Sequence, residues 1–149
     1  GGAPCTCGRR GCWEAYSSAT GLIRMTREAM DAHPESLLHA VAASQGAVNG
    51  QTAFLAKEQG DPAGAAVVER YVHYLSVGVA NLINLFYPQV IALSGGVANQ
   101  GEALLAPLRE AVAPQVYGGA YLDRHTRIVQ CTLGYRAGVI GAAMAARQD

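Results

Sequence analysis

With 149 residues, half of them hydrophobic and 15% charged, the chain is long and apolar enough for one domain with a buried core, and its composition disfavours disorder. Eleven basic residues balance eleven acidic ones, and without a basic run the segment lacks the electrostatic footprint of a nucleic-acid binder. No apolar run approaches the ~20 residues that span a bilayer, no secretory signal opens the chain, and four cysteines, three of them clustered, fit a reducing cytoplasm rather than a secreted disulfide framework.

The three cysteines stand in the opening stretch Cys5-Thr6-Cys7-Gly8-Arg9-Arg10-Gly11-Cys12-Trp13-Glu14. Thiolates this close either pair as disulfides or bind a soft tetrahedral metal such as Zn²⁺. A Cys5–Cys7 bridge would close a strained small ring, and Gly8 and Gly11 supply the positive φ that lets the chain double back. The spacing therefore favours zinc on Cys5, Cys7 and Cys12 over a disulfide or three free buried thiols. Structural zinc is almost always four-coordinate, so one ligand is missing, and none of His33, His39, His73 and His125 has a supporting spacing.

From Glu14 to about Asp31 the pattern is helical, with Leu22, Met25 and Ala29 in phase, and Gly21 is expected to break it in two. His33-Pro34 ends this segment, and Pro34 suits the first position of a helix carrying Leu37, Leu38 and Val41. Thr52 can cap a short helix closed by Gly60. Asp61-Pro62 is a sharp start signal for a long helix to about Tyr87, in which Val68, Val72, Leu75, Val79, Leu82 and Phe86 recur every three or four residues. Gly78 in its middle costs about 1 kcal/mol relative to alanine, which implies close packing against a neighbour.

Val90 to Leu93 is a short continuous apolar run, the pattern of a strand buried on both faces of a parallel sheet. Gly95-Gly96 follows, then a helix from about Gly101 to Val112, kinked or restarted at Pro107. Strand, glycine turn and helix in this order make a place where a ligand can approach backbone, although an ordinary strand-to-helix turn has the same glycines. Tyr117 to Arg124 reads as loop, Arg127 to Thr132 as a second strand, and Gly134 leads into a final helix with Leu133, Ala137, Ile140 and Met144 on one face. Cys131 is read as a small core residue. Two strands are too few for an α/β sheet to cover these helices. That shortage, and a start at Gly1 inside a metal-binding pattern, lead us to expect the carboxyl-terminal part of a longer protein.

C-x-C-G-x-x-G-C-x-E resembles the zinc signature of the ROK family, which contains bacterial sugar kinases and sugar-responsive repressors. Val90-Ile91-Ala92-Leu93-Ser94-Gly95-Gly96-Val97 and Ala137-Gly138-Val139-Ile140-Gly141-Ala142-Ala143 match later family motifs in the expected order, so the resemblance covers the whole chain. It implies an α/β, actin-like ATPase (RNase H-like) fold, with residues 1–149 forming a helix-rich carboxyl-terminal lobe and residues 5–14 a zinc loop. It also implies a fourth zinc ligand, a His of an upstream E-x-G-H motif, and a sugar contact for Glu14, which on residues alone could equally be a helix-start carboxylate. Gly95, Gly96 and Val97 resemble the adenosine motif of actin-like ATPases.

The activity implied is ATP-dependent phosphorylation of a hexose, in a glucokinase-like member, with Mg²⁺ and an upstream Asp base, so no catalytic residue is assigned in this segment. A cytoplasmic homodimer or homotetramer that binds hexose and ATP is the corresponding expectation. A ROK repressor and a zinc-stabilised interaction module are the alternatives. The chain departs from family usage at Gly134-Tyr135-Arg136-Ala137-Gly138, where relatives usually have Gly-Asn-Asp-Ala-Gly, and at Trp13, where Leu is more frequent.

Overall fold

The computed structural model describes residues 1–121 and 125–147. After an opening loop come α1 (Glu14–Ser17), α2 (Ala19–Ala32), α3 (Leu38–Ser44), α4 (Thr52–Glu58) and α5 (Pro62–Phe86). Strand β1 (Val90–Leu93) leads through a 3-10 turn at Gly96–Gln100 to α6 (Glu102–Val112). Two further 3-10 turns, Ala113–Gln115 and Gly119–Tyr121, precede β2 (Arg127–Gln130), and α7 (Ala137–Ala145) closes the chain. β1 and β2 pair in parallel, Val90 opposite Arg127 and Leu93 opposite Gln130.

The core is assembled around α5, which buries Val67, Val68, Tyr71, Val72, Leu75, Val79 and Ile83. These side chains join Leu22 and Met25 of α2, Leu38 and Val41 of α3, Phe54 of α4, Leu104, Leu105 and Leu108 of α6, and Ile128 of β2 in one core. The predicted start signal works as expected. Asp61 is the N-cap of α5, Pro62 is its first residue, and the Asp61 carboxylate accepts the Gly64 N–H at 2.7 Å. The same carboxylate accepts the Ser36 hydroxyl at 2.8 Å and the Leu37 N–H at 3.2 Å, so one buried side chain also fastens the entrance of α3 to α5. At the other end of α5, Tyr87 takes the left-handed conformation (φ 42°) before Pro88.

Several local expectations are corrected. The break in the first helical segment falls at Ser18, not Gly21: Ser18 is extended and its side chain accepts the Gly21 N–H. Gly21 lies inside α2, where a Cβ would sit 2.7 Å from the Ala15 carbonyl oxygen, so it permits close packing of α1 on α2. Helix α3 starts at Leu38, four residues after Pro34, because Ser36 Oγ accepts the Leu38 N–H and sets the start there. Thr52 is the first helical residue of α4, and its hydroxyl closes the preceding turn, accepting from Asn49 N–H and donating to Gln45. Pro107 is accommodated inside a single α6.

β1 alternates exposed and half-buried residues rather than being buried on both faces, since Ile91 and Leu93 pack against the core while Val90 and Ala92 face away from it; β2 is its one ladder partner among the described residues. In the predicted loop from Tyr117 to Arg124 a 3-10 turn forms at Gly119–Tyr121, and positions 122–124 lie outside the described residues. No described residue of α7 is buried: Met144 is exposed, and Leu133, expected on the same helical face, is exposed ahead of the 3-10 turn Gly134–Arg136 that precedes the helix. Among the described residues, no helix is long and apolar enough to cross a membrane.

Candidate functional site

The opening loop folds back on itself as its glycines require. Gly8 (φ 84°) and Gly11 (φ 75°) take the left-handed conformation, Cys5 N–H donates to the Arg9 carbonyl at 2.9 Å, and Pro4 and Arg10 form an isolated antiparallel bridge. The fold-back brings Cys5, Cys7 and Cys12 together, their sulfurs all within 4.8 Å of one another and those of Cys7 and Cys12 3.6 Å apart. Tetrahedral zinc with Zn–S bonds of about 2.3 Å holds its sulfurs roughly 3.8 Å apart, so this donor set fits the metal with little rearrangement. None of the three forms a disulfide. The Arg9 side chain beside Cys7, helped by the Arg9 backbone and the neighbouring sulfurs, brings that thiol down to about 7. Cys12, hydrogen-bonded to Cys7 and partly desolvated, is shifted upward. Cys131 lies in the turn after β2 and its N–H donates to the Leu93 carbonyl, remote in sequence from this cluster.

Glu14, at the start of α1, is held from inside the loop. Its carboxylate accepts the Thr6 hydroxyl at 3.2 Å, with the Cys5 sulfur at 3.8 Å. Beside it is a cavity of about 200 Å³ lined by Cys5, Thr6, Glu14, Ser18, Thr20 and Arg24, among others. Thr6 and Arg24 were not singled out from sequence. Thr6 has the available signal of sitting between two cysteines, where the loop must place it near Glu14. Arg24 becomes visible only when α2 lies against α1: it donates to the Ala15 carbonyl at 3.1 Å, pairs with Glu28, and lies over the Tyr16 ring.

On its other side the loop is docked on α5 through Trp13. The indole N–H donates to the Tyr74 carbonyl at 2.8 Å, and the ring lies where a Cβ of Gly78 would be, 2.0 Å from Cε2. This is the close neighbour that Gly78 implied. Tyr16 stacks on Tyr74 with ring centroids 4.6 Å apart and its hydroxyl accepts the Ala3 N–H. The buried Tyr71 hydroxyl, pushed up to about 12 by desolvation and so kept protonated, donates to the Ser17 carbonyl at 2.9 Å.

The second predicted site lies at the carboxyl end of β1. Gly95 has φ 100° and ψ 174°, a conformation that only glycine adopts without strain. Gly96 opens the following 3-10 turn, and a Cβ there would meet nothing within 4 Å. Val97 is buried, with Cγ2 against Gly50. Ser94 Oγ donates to the Gly134 carbonyl at 3.0 Å, joining this turn to the one before α7.

A family model described as "ROK family" matches residues 1–149. A glucokinase of Halalkalibacterium halodurans is 39% identical over 100% of this chain and 44% of its own length. A xylose repressor of Bacillus subtilis is 25% identical over 94% of the chain and 32% of its own. Among solved structures, a ROK family glucokinase from Streptomyces griseus in complex with glucose and AMPPNP superposes with a TM-score of 0.83 at 33% identity, covering 99% of this chain and 48% of that one. The chain thus spans about half the length of the kinases it matches.

Proposed function

The chain belongs to the ROK family and has its helix-rich α/β, actin-like ATPase fold, and from that premise we propose that it is the carboxyl-terminal lobe of an ATP-dependent hexose kinase of the glucokinase kind. The observation that carries this reading is the fixed Glu14 carboxylate. Cysteine loop and α1 together hold it at the edge of a cavity, with Thr6 and Arg24 alongside. A carboxylate so held accepts hydrogen bonds from vicinal sugar hydroxyls, and charge-assisted bonds are the strong ones. The whole protein's activity and substrates, hexose and ATP with Mg²⁺, are part of this proposal, as are cytoplasmic residence and assembly as a homodimer or homotetramer.

In this scheme Cys5, Cys7 and Cys12 hold zinc as thiolates, with a His from an upstream segment as fourth ligand. The metal's chemistry is structural, since a site filled by protein ligands leaves no position for a reacting water. Gly95 and Gly96 leave room for the nucleotide at the end of β1, and Val97, its side chain buried, contributes backbone alone. The proton-accepting Asp of phosphoryl transfer is assigned to no residue of this segment. A sugar-sensing repressor lobe is the second reading, and the lower identity to the xylose repressor, 25% against 39% for the glucokinase, favours the kinase.

The test is Glu14→Gln in the full-length protein. Hydrogen bonds to a charged group contribute about 1.5–3 kcal/mol each, so hexose affinity by calorimetry, and with it kcat/KM, should fall by one to a few orders of magnitude. Zinc content and melting temperature should stay near wild type. Unchanged hexose affinity would reduce Glu14 to a residue that begins a helix.

A further inference from the structure

Trp13 sits between the last sulfur of the loop and the carboxylate, and its contacts go the opposite way from both. While Cys12 faces the other thiols and Glu14 faces Thr6, the Trp13 indole reaches α5 and donates to the Tyr74 carbonyl at 2.8 Å. A helical carbonyl keeps a second lone pair after accepting the N–H four residues on, here Gly78, but a ring as broad as indole can lie flat enough on the helix to reach it only where a side chain is missing. Gly78 provides that gap: Cε2, Cζ2 and Cδ2 of Trp13 lie 2.0, 2.1 and 2.6 Å from where its Cβ would be. The Trp13 backbone in turn begins α1, its carbonyl accepting the Tyr16 and Ser17 N–H groups and the Ser17 hydroxyl. The direction in which Glu14 leaves the chain is therefore tied to α5 by a contact that involves no sulfur.

We propose that Trp13 is a positioning residue for sugar recognition. Its indole, locked in the Gly78 notch, aims Glu14 from the α5 side while the cysteine loop holds it from the other. This rests on the reading of Glu14 as the sugar-binding carboxylate. Zinc can be fully bound and the carboxylate still misdirected if the notch is filled.

The experiment is a double-mutant cycle in the full-length protein, pairing Gly78→Ala with Glu14→Gln and reading hexose affinity, KM for ATP, zinc content and melting temperature. In Gly78→Ala the added methyl displaces the indole without meeting any of the three sulfurs. Hexose affinity should fall on the order of 10- to 100-fold, the scale of a roughly 1 Å misplacement, with KM for ATP and zinc content unchanged. In the Glu14→Gln background the same methyl should have little further effect on hexose affinity, because the group it misdirects has already lost its charge. Trp13→Phe, which keeps most of the ring and loses the N–H, should show a smaller loss of the same kind, and it carries the cycle if Gly78→Ala folds poorly. Additive losses in the cycle, or a rise in KM for ATP parallel to that for hexose, would overturn the positioning role and leave Glu14 as sugar ligand. Unchanged hexose affinity in Glu14→Gln alone would overturn both readings.

Discussion

The two glycines after β1 have different reasons to be there, and the difference can be tested one residue at a time. Gly95 is demanded by its own backbone, with φ 100°, whatever binds nearby. Gly96 is not, since a Cβ there would meet no protein atom within 4 Å. Gly96→Val should consequently fold normally and raise KM for ATP far more than KM for hexose, as steady-state kinetics of the full-length protein would show. Equal effects on both would mean a general disturbance. The sequence displayed the Gly-Gly pair but not this division of labour, because φ at one position and empty space at the next are both set by how the turn is seated. Glu14 was legible, and Thr6 could have been, because residues beside metal ligands have a predictable neighbourhood; Arg24 was not, since its place is fixed only when α2 packs on α1.

At the scale of elements, caps decide where helices start, and the strongest cap here serves two helices. Asp61 is 5% exposed and accepts from Gly64 N–H, the Ser36 hydroxyl and Leu37 N–H. Loss of an N-cap costs about 1 kcal/mol, and leaving buried donors unsatisfied about 1–3 more, so Asp61→Ala should destabilise by roughly 2–4 kcal/mol in urea unfolding. Burial alone would raise the Asp61 carboxyl, but the hydrogen bonds from Gly64, Ser36 and Leu37, with the charge of His33, outweigh it and hold it below its ordinary value of 3.8. Since the native state binds this proton less readily than the unfolded chain, the contribution is fully present above that ordinary value and is lost as pH falls through the lower folded one. Wild type should lose stability more steeply than Asp61→Ala on that acid limb. Asp61-Pro62 could be read directly because both cap and first residue are neighbours in sequence. The starts of α3 and α4 could not, since Ser36 and Thr52 act through turns that precede each helix, and Pro34, a permitted first residue, was not used as one.

For the molecule as a whole, the longest periodic helix, α5, proved to be its axis, while the strand expected to be buried on both faces was not so buried. An apolar run records the burial a strand is suited to; the burial it has depends on what lies beside it, which periodicity does not contain. The cysteine loop is likewise a whole-molecule feature, joined to α5 through Trp13, Tyr16 and, by way of α1, Tyr71. Cys7→Ser in the full-length protein should therefore lose zinc, melting temperature and hexose affinity together, in contrast to Glu14→Gln, which should lose affinity alone. Elemental analysis, thermal melts and calorimetry on the two variants separate these outcomes, and a metal-free wild type that binds hexose normally would refute the link.

The indole in the Gly78 notch has a consequence for how this protein can change over generations. In the interior of an ordinary helix, alanine for glycine is favourable by about 1 kcal/mol, and drift should supply it readily. Here the first methyl added at position 78 would collide with a ring 65 positions earlier in the chain, since it would lie 2.0 Å from Trp13. The two sites can exchange residues in one order only, with the ring shrinking first and the helix filling afterwards. A lineage that has kept the tryptophan is thereby barred from the easier helix, and one that has filled the helix cannot regain the tryptophan in a single step.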